Sequence, residues 1–234
     1  MPCYCKENHF YGIQLDFEMI HVSERDLLTA FYQNVAKAMH ANGLIVSFAV
    51  APVVTNDLHT SPFLKRAYEN WEGVYDLKKL GEAADFISIM TYNQHVHGTT
   101  PGSTANWSWM NAVLNYTLQY VPPEKISLGI PSYSTYWFMY YNEHAHTINV
   151  HTGGFSYETI QKLARRFDAD FQWDKNAKVH YAIVNHNWLN EYLFAEDKDS
   201  FTAKYDLVKQ HHLRGISVFD LGTEDPGIWK KLAS

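Results

Sequence analysis

Short apolar segments alternate with helical segments along most of this chain, and this alternation constrains the fold more than any other feature. Five segments are predicted to be strands: Gly12 to Asp16, Leu44 to Val50, Phe86 to Tyr92, Ile126 to Pro131 and Gly215 to Asp220. The second is almost entirely apolar, as expected for a strand that is buried on both faces. Alternating strands and helices with buried strands predict a parallel α/β architecture.

Helix signals fall between these strands. Ser23, with Asp26 three residues later, is predicted to cap a helix that ends near Asn42. The other predicted helical segments are residues 62–84, Trp107 to Val121, Ser200 to His212 and a short final helix from about Asp225. The positions of these helices support the strand–helix repeat.

The long segment between residues 131 and 215 departs from the repeat. It contains a predicted helix, Tyr157 to Phe167, and strand-like pieces near Asp170 to Trp173 and Val179 to Val184. We interpret residues 134–198 as an inserted α+β lobe within one domain that covers residues 1–234. A chain of 234 residues has ample material for a core.

Composition excludes several classes of function. The formal net charge is −6, so a basic nucleic-acid platform is not expected. No apolar run approaches the roughly 20 residues that span a bilayer, and the N-terminus has no apolar stretch of signal-peptide type. No glycine-rich phosphate loop follows a predicted strand. The sequence predicts neither a nucleic-acid partner nor a membrane span.

Metal-binding patterns are weak. The pairs His95/His97 and His144/His146 have no cysteine or carboxylate at helical spacing to complete a site. Two cysteines separated by one residue, Cys3 and Cys5, make neither a metal site nor an unstrained disulfide. We therefore expect no metal and no other cofactor.

Polar residues gather where the predicted strands end. Asp16, Glu18, Tyr92, Asn93 and Asp220 all occupy such positions. The carboxyl ends of the strands form the active-site mouth of a (β/α)8 barrel. A doubly wound sheet also binds ligands at this edge, so this feature alone leaves both folds open.

Three polar residues in the first strand segment share one face. Side chains alternate along a strand, so Gln14, Asp16 and Glu18 are predicted to point the same way. Two neighbouring carboxylates push their pKa values apart, which leaves one protonated as an acid. The alternative is a strand end that enters solvent, where acidic residues have no special role.

Several segments, in the right order, resemble the family 18 glycoside hydrolases, the chitinase family. Within its D-x-x-D-x-D-x-E signature, Gly12, Asp16 and Glu18 match. The resembling segments are residues 10–18 (FYGIQLDFE), 84–93 (ADFISIMTYN), 122–131 (PPEKISLGIP) and 214–226 (RGISVFDLGTEDP). Residues 75–81 and the 154–173 segment are most similar to the bacterial branch of spore-cortex and peptidoglycan N-acetylglucosaminidases.

This resemblance implies a (β/α)8 TIM barrel. The five strands look like the fourth to the eighth of that barrel, so the first three βα units are missing and the inserted lobe lies between the last two strands. An unclosed barrel exposes strand edges, which leaves three explanations. The chain is a fragment, which we favour, or another polypeptide supplies the rest of the barrel, or copies of the chain associate through an open sheet. Relatives commonly act outside the cytoplasm, which makes an extracytoplasmic location the expectation.

The resemblance also implies roles for individual residues in the hydrolysis of N-acetylglucosamine-containing oligosaccharides or polysaccharides. Family 18 enzymes are retaining glycosidases in which the substrate's own acetamido group is the nucleophile. Glu18 corresponds to the general acid, Asp16 to the group that binds the acetamido N–H, and Tyr92 to the clamp on the acetamido oxygen. The implied substrate-binding residues are Gln14, Met90, Asn93, Tyr133 and Phe219.

Four positions within the resembling segments depart from the family pattern. Tyr11 and Gln14 stand where acidic residues, or asparagine at the second, are usual; Asn93 replaces an aspartate; and Phe219 replaces a tryptophan. These changes suggest altered specificity or weak activity. The alternative function is therefore a lectin-like protein that binds chitooligosaccharides without cleaving them, although such members usually lose the acid that Glu18 retains.

Overall fold

The computed structural model describes residues 1–56, 61–144, 146–186 and 188–232. Its helices are α1 (Pro2–Glu7), α2 (Arg25–His40), α3 (Pro62–Asn70), α4 (Leu77–Ala83), α5 (Trp107–Thr117), α6 (Tyr157–Arg166), α7 (Lys198–Gln210) and α8 (Gly227–Leu232). Its strands are β1 (Gly12–Leu15), β2 (Ile45–Val50), β3 (Phe86–Ile89), β4 (Ile126–Pro131), β5 (Ser134–Asn142), β6 (Thr147–Phe155), β7 (Gln172–Asp174), β8 (Val179–His186), β9 (Leu189–Ala195) and β10 (Gly215–Phe219).

The chain forms two compact units. The first unit contains Met1–Met90, Asn111–Gly129 and Val208–Ser217, and the second contains Thr91–Met110, Ile130–Leu207 and Val218–Ser234. The interpretation of residues 1–234 as one domain stays a prediction. Among the described residues, no helix is both long enough and apolar enough to cross a membrane.

The predicted strand–helix repeat forms a sheet with the strand order β1-β2-β3-β4-β10. The β1–β2, β2–β3 and β3–β4 pairs are parallel, with Gly12 opposite Ile45 and Ile87 opposite Ile126 in the register. Both β2 and β4 are buried almost throughout. The prediction of a parallel α/β sheet with buried strands is confirmed.

Helix α2 covers this sheet with one apolar face. Its buried residues recur at helical spacing: Leu28, Thr29, Tyr32, Val35, Ala36 and Met39. The Tyr32 ring lies 4.3 Å from the Phe48 ring of β2, measured between centroids. Burial of these side chains fixes α2 against β2. It also fixes β1, the strand that precedes α2 in the chain.

The first sheet also buries hydroxyl groups, all of them hydrogen-bonded. Ser217 lies between Ser88 and Ser127, with Oγ–Oγ distances of 2.8 and 2.7 Å. A buried polar group costs free energy only where it lacks a partner, so this chain of hydroxyls does not weaken the core.

The second sheet lies in the second unit and is antiparallel, with the order β6-β5-β9-β8-β7. Helix α6 packs on it through Ile160 and Ala164, which contact a buried cluster that includes Leu193. The sequence indicated α6 and strand-like pieces at β7 and β8. It did not indicate β5, β6 or β9, which alternate apolar residues with tyrosine, threonine, histidine and asparagine.

Several predicted boundaries were wrong. Ser23 lies inside a 3₁₀ turn over Val22–Glu24, which the His21 imidazole caps by accepting from Ser23 N–H at 3.2 Å. Helix α2 begins only at Arg25, and its N-cap residue, Glu24, makes no side-chain cap hydrogen bond. Helix α5 ends at Thr117 because the following residues form turns, with Tyr120 N–H bonded to the Thr117 carbonyl. Strands β1 and β3 end at Leu15 and Ile89, one and three residues before the predicted ends. Helix α1 was not predicted.

A buried ion pair lies in the second unit. Lys204 Nζ contacts Glu196 Oε2, and the two side chains are 0% and 2% exposed. Lys204 Nζ also donates to Ser200 Oγ at 2.9 Å. Burial opposes the charge on both groups: it lowers the pKa of the Lys204 ammonium and raises the pKa of the Glu196 carboxyl. Each charge therefore depends on the other.

Lys204→Ala is expected to lower the free energy of unfolding by about 3–5 kcal/mol, because it leaves the buried Glu196 without its cationic partner and with only the hydrogen bond from Ser200 Oγ. Urea unfolding followed by circular dichroism measures this change. Lys162→Ala, which breaks an ion pair to Glu158 on the surface of the same unit, is the control and should change stability little. Equal effects of the two substitutions would contradict the prediction.

Candidate active site

The acidic segment follows β1 directly in the first unit. Strand β1 ends at Leu15, which is buried, whereas Asp16, Phe17 and Glu18 are exposed. Strand alternation therefore does not extend to Glu18 as predicted, although Gln14, Asp16 and Glu18 all reach the surface. The Gln14 side-chain oxygen accepts a hydrogen bond from Ser47 Oγ at 3.2 Å, which ties β1 to β2.

Two aromatic side chains hold the acidic segment. The Trp71 indole N–H donates to Glu18 Oε2 at 3.1 Å, and the Tyr75 hydroxyl donates to the Phe17 carbonyl at 2.8 Å. Partial burial raises the pKa of Glu18, and the negative charge of Asp16 raises it further, while the hydrogen bond from Trp71 lowers it. The net raised pKa suits a carboxyl group that donates a proton.

Met90 lies just after β3 in the same unit and is 5% exposed. Its backbone N–H donates to the Val50 carbonyl at 3.0 Å, which continues the β2–β3 ladder by one bond. The position of Met90 is thus fixed by the sheet.

Four of the predicted site residues, the catalytic Tyr92 and three substrate-binding residues, meet in the second unit. The rings of Tyr92 and Phe219 stack with centroids 5.1 Å apart and an angle of 19° between their planes. Tyr133 meets the same phenylalanine edge-on, with centroids 6.1 Å apart, and its hydroxyl donates to Asn93 Oδ1. These four residues form the aromatic cluster.

The backbone around the aromatic cluster is tightly held. Ser132 N–H donates to the Phe219 carbonyl at 2.9 Å, and Thr223 Oγ1 donates to Asp220 Oδ1 at 2.9 Å. Asn93 has a φ of 58°, a left-handed conformation that asparagine tolerates better than most residues. Burial raises the pKa of the Tyr133 hydroxyl, which keeps it protonated as a hydrogen-bond donor.

One group of potential metal ligands occurs among the residues with a defined position: His180, Asp197 and Asp199. Its geometry has a structural explanation. His180 Nδ1 contacts Asp197 Oδ2 at 2.6 Å, and Asp197 Oδ1 accepts from the backbone N–H of Ser200 at 2.9 Å at the start of α7. The carboxylate caps a helix and pairs with the imidazole.

Sequence reasoning missed Trp71 and Tyr75. Trp71 lies 53 positions from Glu18 along the chain, just after α3. The spacing of the acidic residues contains no signal for so distant a partner. Tyr75 belongs to a segment that resembled one branch of the family, but the resemblance assigned it no contact with Phe17.

The sequence of this chain is similar to those of several known proteins. The sequence profile described as glycosyl hydrolases family 18 matches residues 3–224. Among curated proteins, the chain is 27% identical over 231 residues to the cortical fragment-lytic enzyme of Bacillus subtilis, covering 96% of this chain and 49% of that enzyme. It is 25% identical over 232 residues to the uncharacterized glycosylase YvbX of the same organism, covering 97% of this chain and 62% of that protein.

Solved structures of similar proteins share the fold. A chitinase from Chromobacterium violaceum superposes with a TM-score of 0.85 at 27% identity, covering 99% of this chain and 68% of that one. The spore cortex-lytic enzyme SleL of Bacillus megaterium gives a TM-score of 0.83 at 26% identity, with 99% and 50% coverage.

This chain spans about half to three fifths of the length of the two curated relatives. Its parallel sheet is part of a (β/α)8 TIM barrel, and the antiparallel lobe is inserted in the sequence between β4 and β10. The match over nearly the whole sequence, together with this fold, shows that the chain belongs to the glycosyl hydrolases of family 18.

Proposed function

We propose that this protein hydrolyses β-linked N-acetylglucosamine glycans with retention of configuration, using the acetamido group of the substrate as the nucleophile. The observation that carries the proposal is the pair of carboxylates after β1. Glu18 has a raised pKa, Asp16 is one cause of it, and both side chains are exposed to a substrate in solvent. Family membership supports a glycosidase.

In the first step, Glu18 transfers its proton to the glycosidic oxygen. The bond from the anomeric carbon to that oxygen breaks, and its electron pair stays with the leaving sugar. The acetamido carbonyl oxygen bonds to the anomeric carbon and forms an oxazolinium ring. Asp16 accepts a hydrogen bond from the acetamido N–H and stabilises the positive charge on this intermediate.

In the second step, the Glu18 carboxylate removes a proton from water, and the hydroxyl oxygen bonds to the anomeric carbon. The bond to the acetamido oxygen breaks, which restores the amide and returns Glu18 to its protonated form. The same side chain thus acts first as acid and then as base. A raised pKa helps the first role, and the hydrogen bond from Trp71 helps the second.

The aromatic cluster is proposed to bind an N-acetylated sugar. By family resemblance, Tyr92 holds the acetamido oxygen and Phe219 provides an apolar floor for the ring. Phe219 is 49% exposed, so one side of its ring is available to a ligand. Tyr133 supports this floor from the side through its edge-on contact with Phe219, and the Tyr133 hydroxyl donates to Asn93 Oδ1.

Peptidoglycan or its fragments are the preferred substrate within this class. The relatives include cortical fragment-lytic and spore cortex-lytic enzymes. The C. violaceum relative is named a chitinase, so chitooligosaccharides are the natural comparison substrate. Assays on both glycans, side by side, decide between them.

Glu18→Gln is expected to reduce turnover of N-acetylglucosamine reporter glycosides roughly 100- to 10,000-fold, because glutamine cannot donate the proton. Asp16→Asn removes the charge beside the developing cation and should also reduce turnover strongly. Release of the reporter group measures both rates. Glu82→Gln, a substitution at an exposed position on α4, is the control. Unchanged rates in both acidic variants would overturn the proposed mechanism.

The lectin-like alternative rests on the departures at Gln14, Asn93, Tyr11 and Phe219. It has its own readout in the same experiment. Saturable binding of chitooligosaccharides by the wild-type chain, without products after long incubation, would favour it over hydrolysis. Turnover that depends on Glu18 would exclude it.

Phe219→Ala is expected to raise KM for a chitooligosaccharide roughly three- to tenfold, because it removes the apolar face below the sugar. Phe219→Trp enlarges that face and should lower KM. Leu221→Ala, at a neighbouring position that is 74% exposed, serves as the control. If neither substitution at Phe219 changes KM, this ring does not bind the sugar.

We also infer that two copies of the chain associate through β1. This strand ends the order of the first sheet, and edge strands are prone to pair with other strands. Four aromatic residues on or near it are at least 40% exposed: Phe10, Tyr11, Phe17 and Phe31. Exposed apolar groups of this extent favour association.

Sedimentation velocity over a wide range of protein concentration is expected to show a monomer that converts to a dimer. Tyr11→Lys should weaken the dimer because a charge at the strand edge opposes pairing. Tyr141→Lys, at an exposed site in the second unit, is the control. A single monomeric species at all concentrations would contradict this inference.

A further inference from the structure

Trp71 contacts the proposed catalytic acid directly, although the sequence pattern assigns it no role. Its indole N–H donates to Glu18 Oε2 at 3.1 Å. We propose that Trp71 is a positioning residue that fixes the orientation of the Glu18 carboxylate and stabilises its ionised form during turnover. This inference rests on the proposed function of Glu18.

The segment that carries Trp71 is rigidly anchored. Arg25 Nη1 of α2 donates to the Gly73 carbonyl at 2.9 Å. Gly73 is buried against the Tyr68 ring so closely that a Cβ atom at this position would lie 2.6 Å from the ring. These contacts fix the backbone on the C-terminal side of Trp71, so the indole is presented from a rigid support.

The same segment reaches the acidic segment at a second point. The Tyr75 hydroxyl donates to the Phe17 carbonyl at 2.8 Å, one residue before Glu18. Trp71 therefore orients the side chain while Tyr75 fixes the backbone that bears it. Because Glu18 lies beyond the end of β1, no strand hydrogen bond performs this task.

The hydrogen bond acts where charge develops. As Glu18 gives its proton to the glycosidic oxygen, negative charge appears on the carboxylate, and an N–H donor already in place binds it more strongly than it binds the neutral acid. The donor also stabilises the carboxylate that later accepts a proton from water. Trp71 is thus expected to influence kcat more than KM.

Other ionisable groups lie near the contact between Trp71 and Glu18, and their titration must be distinguished from that of Glu18. Asp16 lies beside Glu18, and the hydroxyls of Tyr32 and Tyr75 interact electrostatically with these carboxylates. Glu72, next to Trp71 in the sequence, is half-buried, and burial raises its pKa to about 7. Glu72→Gln is therefore included, so that its titration is not mistaken for that of Glu18.

The decisive variant is Trp71→Phe, which keeps an aromatic ring and removes the N–H donor. We expect kcat on the reporter glycoside to fall roughly tenfold, as for loss of a hydrogen bond to a charged group, with little change in KM. Loss of the donor raises the pKa of Glu18. Because the acid works only when protonated, the fall in activity with rising pH should then occur at higher pH. Trp188→Phe, at a position 96% exposed, is the matched control.

A second measurement does not depend on activity. The ¹³C signal of the Glu18 side-chain carboxyl, assigned by its loss in Glu18→Gln, reports the protonation of this group directly. Its titration midpoint should move to higher pH in Trp71→Phe and stay unchanged in Trp188→Phe. If Trp71→Phe folds poorly, benzothienylalanine at position 71 keeps the shape of indole and replaces the N–H with sulfur.

The outcomes separate the two proposals. Absence of turnover in the wild-type chain would contradict the proposed function, and the NMR titration would still test the Trp71 contact. With turnover present, a Trp71 variant whose kcat and pH profile match the wild type would overturn the positioning role. Whether or not the wild-type chain shows turnover, a Glu18 titration midpoint that does not move in a folded Trp71 variant would overturn the positioning role.

Discussion

The close parallel pairing of β1 with β2 is the constraint on which the acidic segment depends. Gly12 lies opposite Ile45, and a Cβ atom on Gly12 would fall 2.0 Å from the Ile45 carbonyl oxygen, so only glycine permits this approach. The ladder that starts there continues to Leu15 opposite Phe48. Burial of Phe48 against Tyr32 then fixes the end of the strand from which Asp16 and Glu18 emerge.

The sheet positions the acidic segment, but it does not orient Glu18. Regular pairing stops at Leu15, and the three residues beyond it are exposed. Their orientation comes from Trp71 and Tyr75, which reach them from the segment after α3. A reactive side chain must face solvent, so its rigidity has to come from contacts at one side only, and aromatic donors on an anchored backbone provide such contacts.

The sequence predicts the parallel sheet well because continuous apolar runs such as β2 and β4 have one physical interpretation, burial on both faces. It predicts β5, β6 and β9 poorly, since these strands mix polar and aromatic residues and depend on pairing with each other. The predicted Ser23 cap was wrong because Ser23 lies inside the 3₁₀ turn that precedes α2, and α2 begins only at Arg25. The contact of Trp71 with Glu18 was not predictable, because it depends on tertiary structure across 53 positions. The catalytic and binding roles came from family resemblance and remain predictions.

Two opposite influences meet at Glu18, and their balance matters for the proposed mechanism, in which this group acts as acid and then as base. Burial and the charge of Asp16 raise its pKa and favour the proton that the first step consumes. The Trp71 hydrogen bond lowers the pKa and favours the carboxylate that the second step requires. Either influence alone would assist one step at the expense of the other. A carboxylate neighbour on one side and an indole donor on the other let one side chain serve both steps.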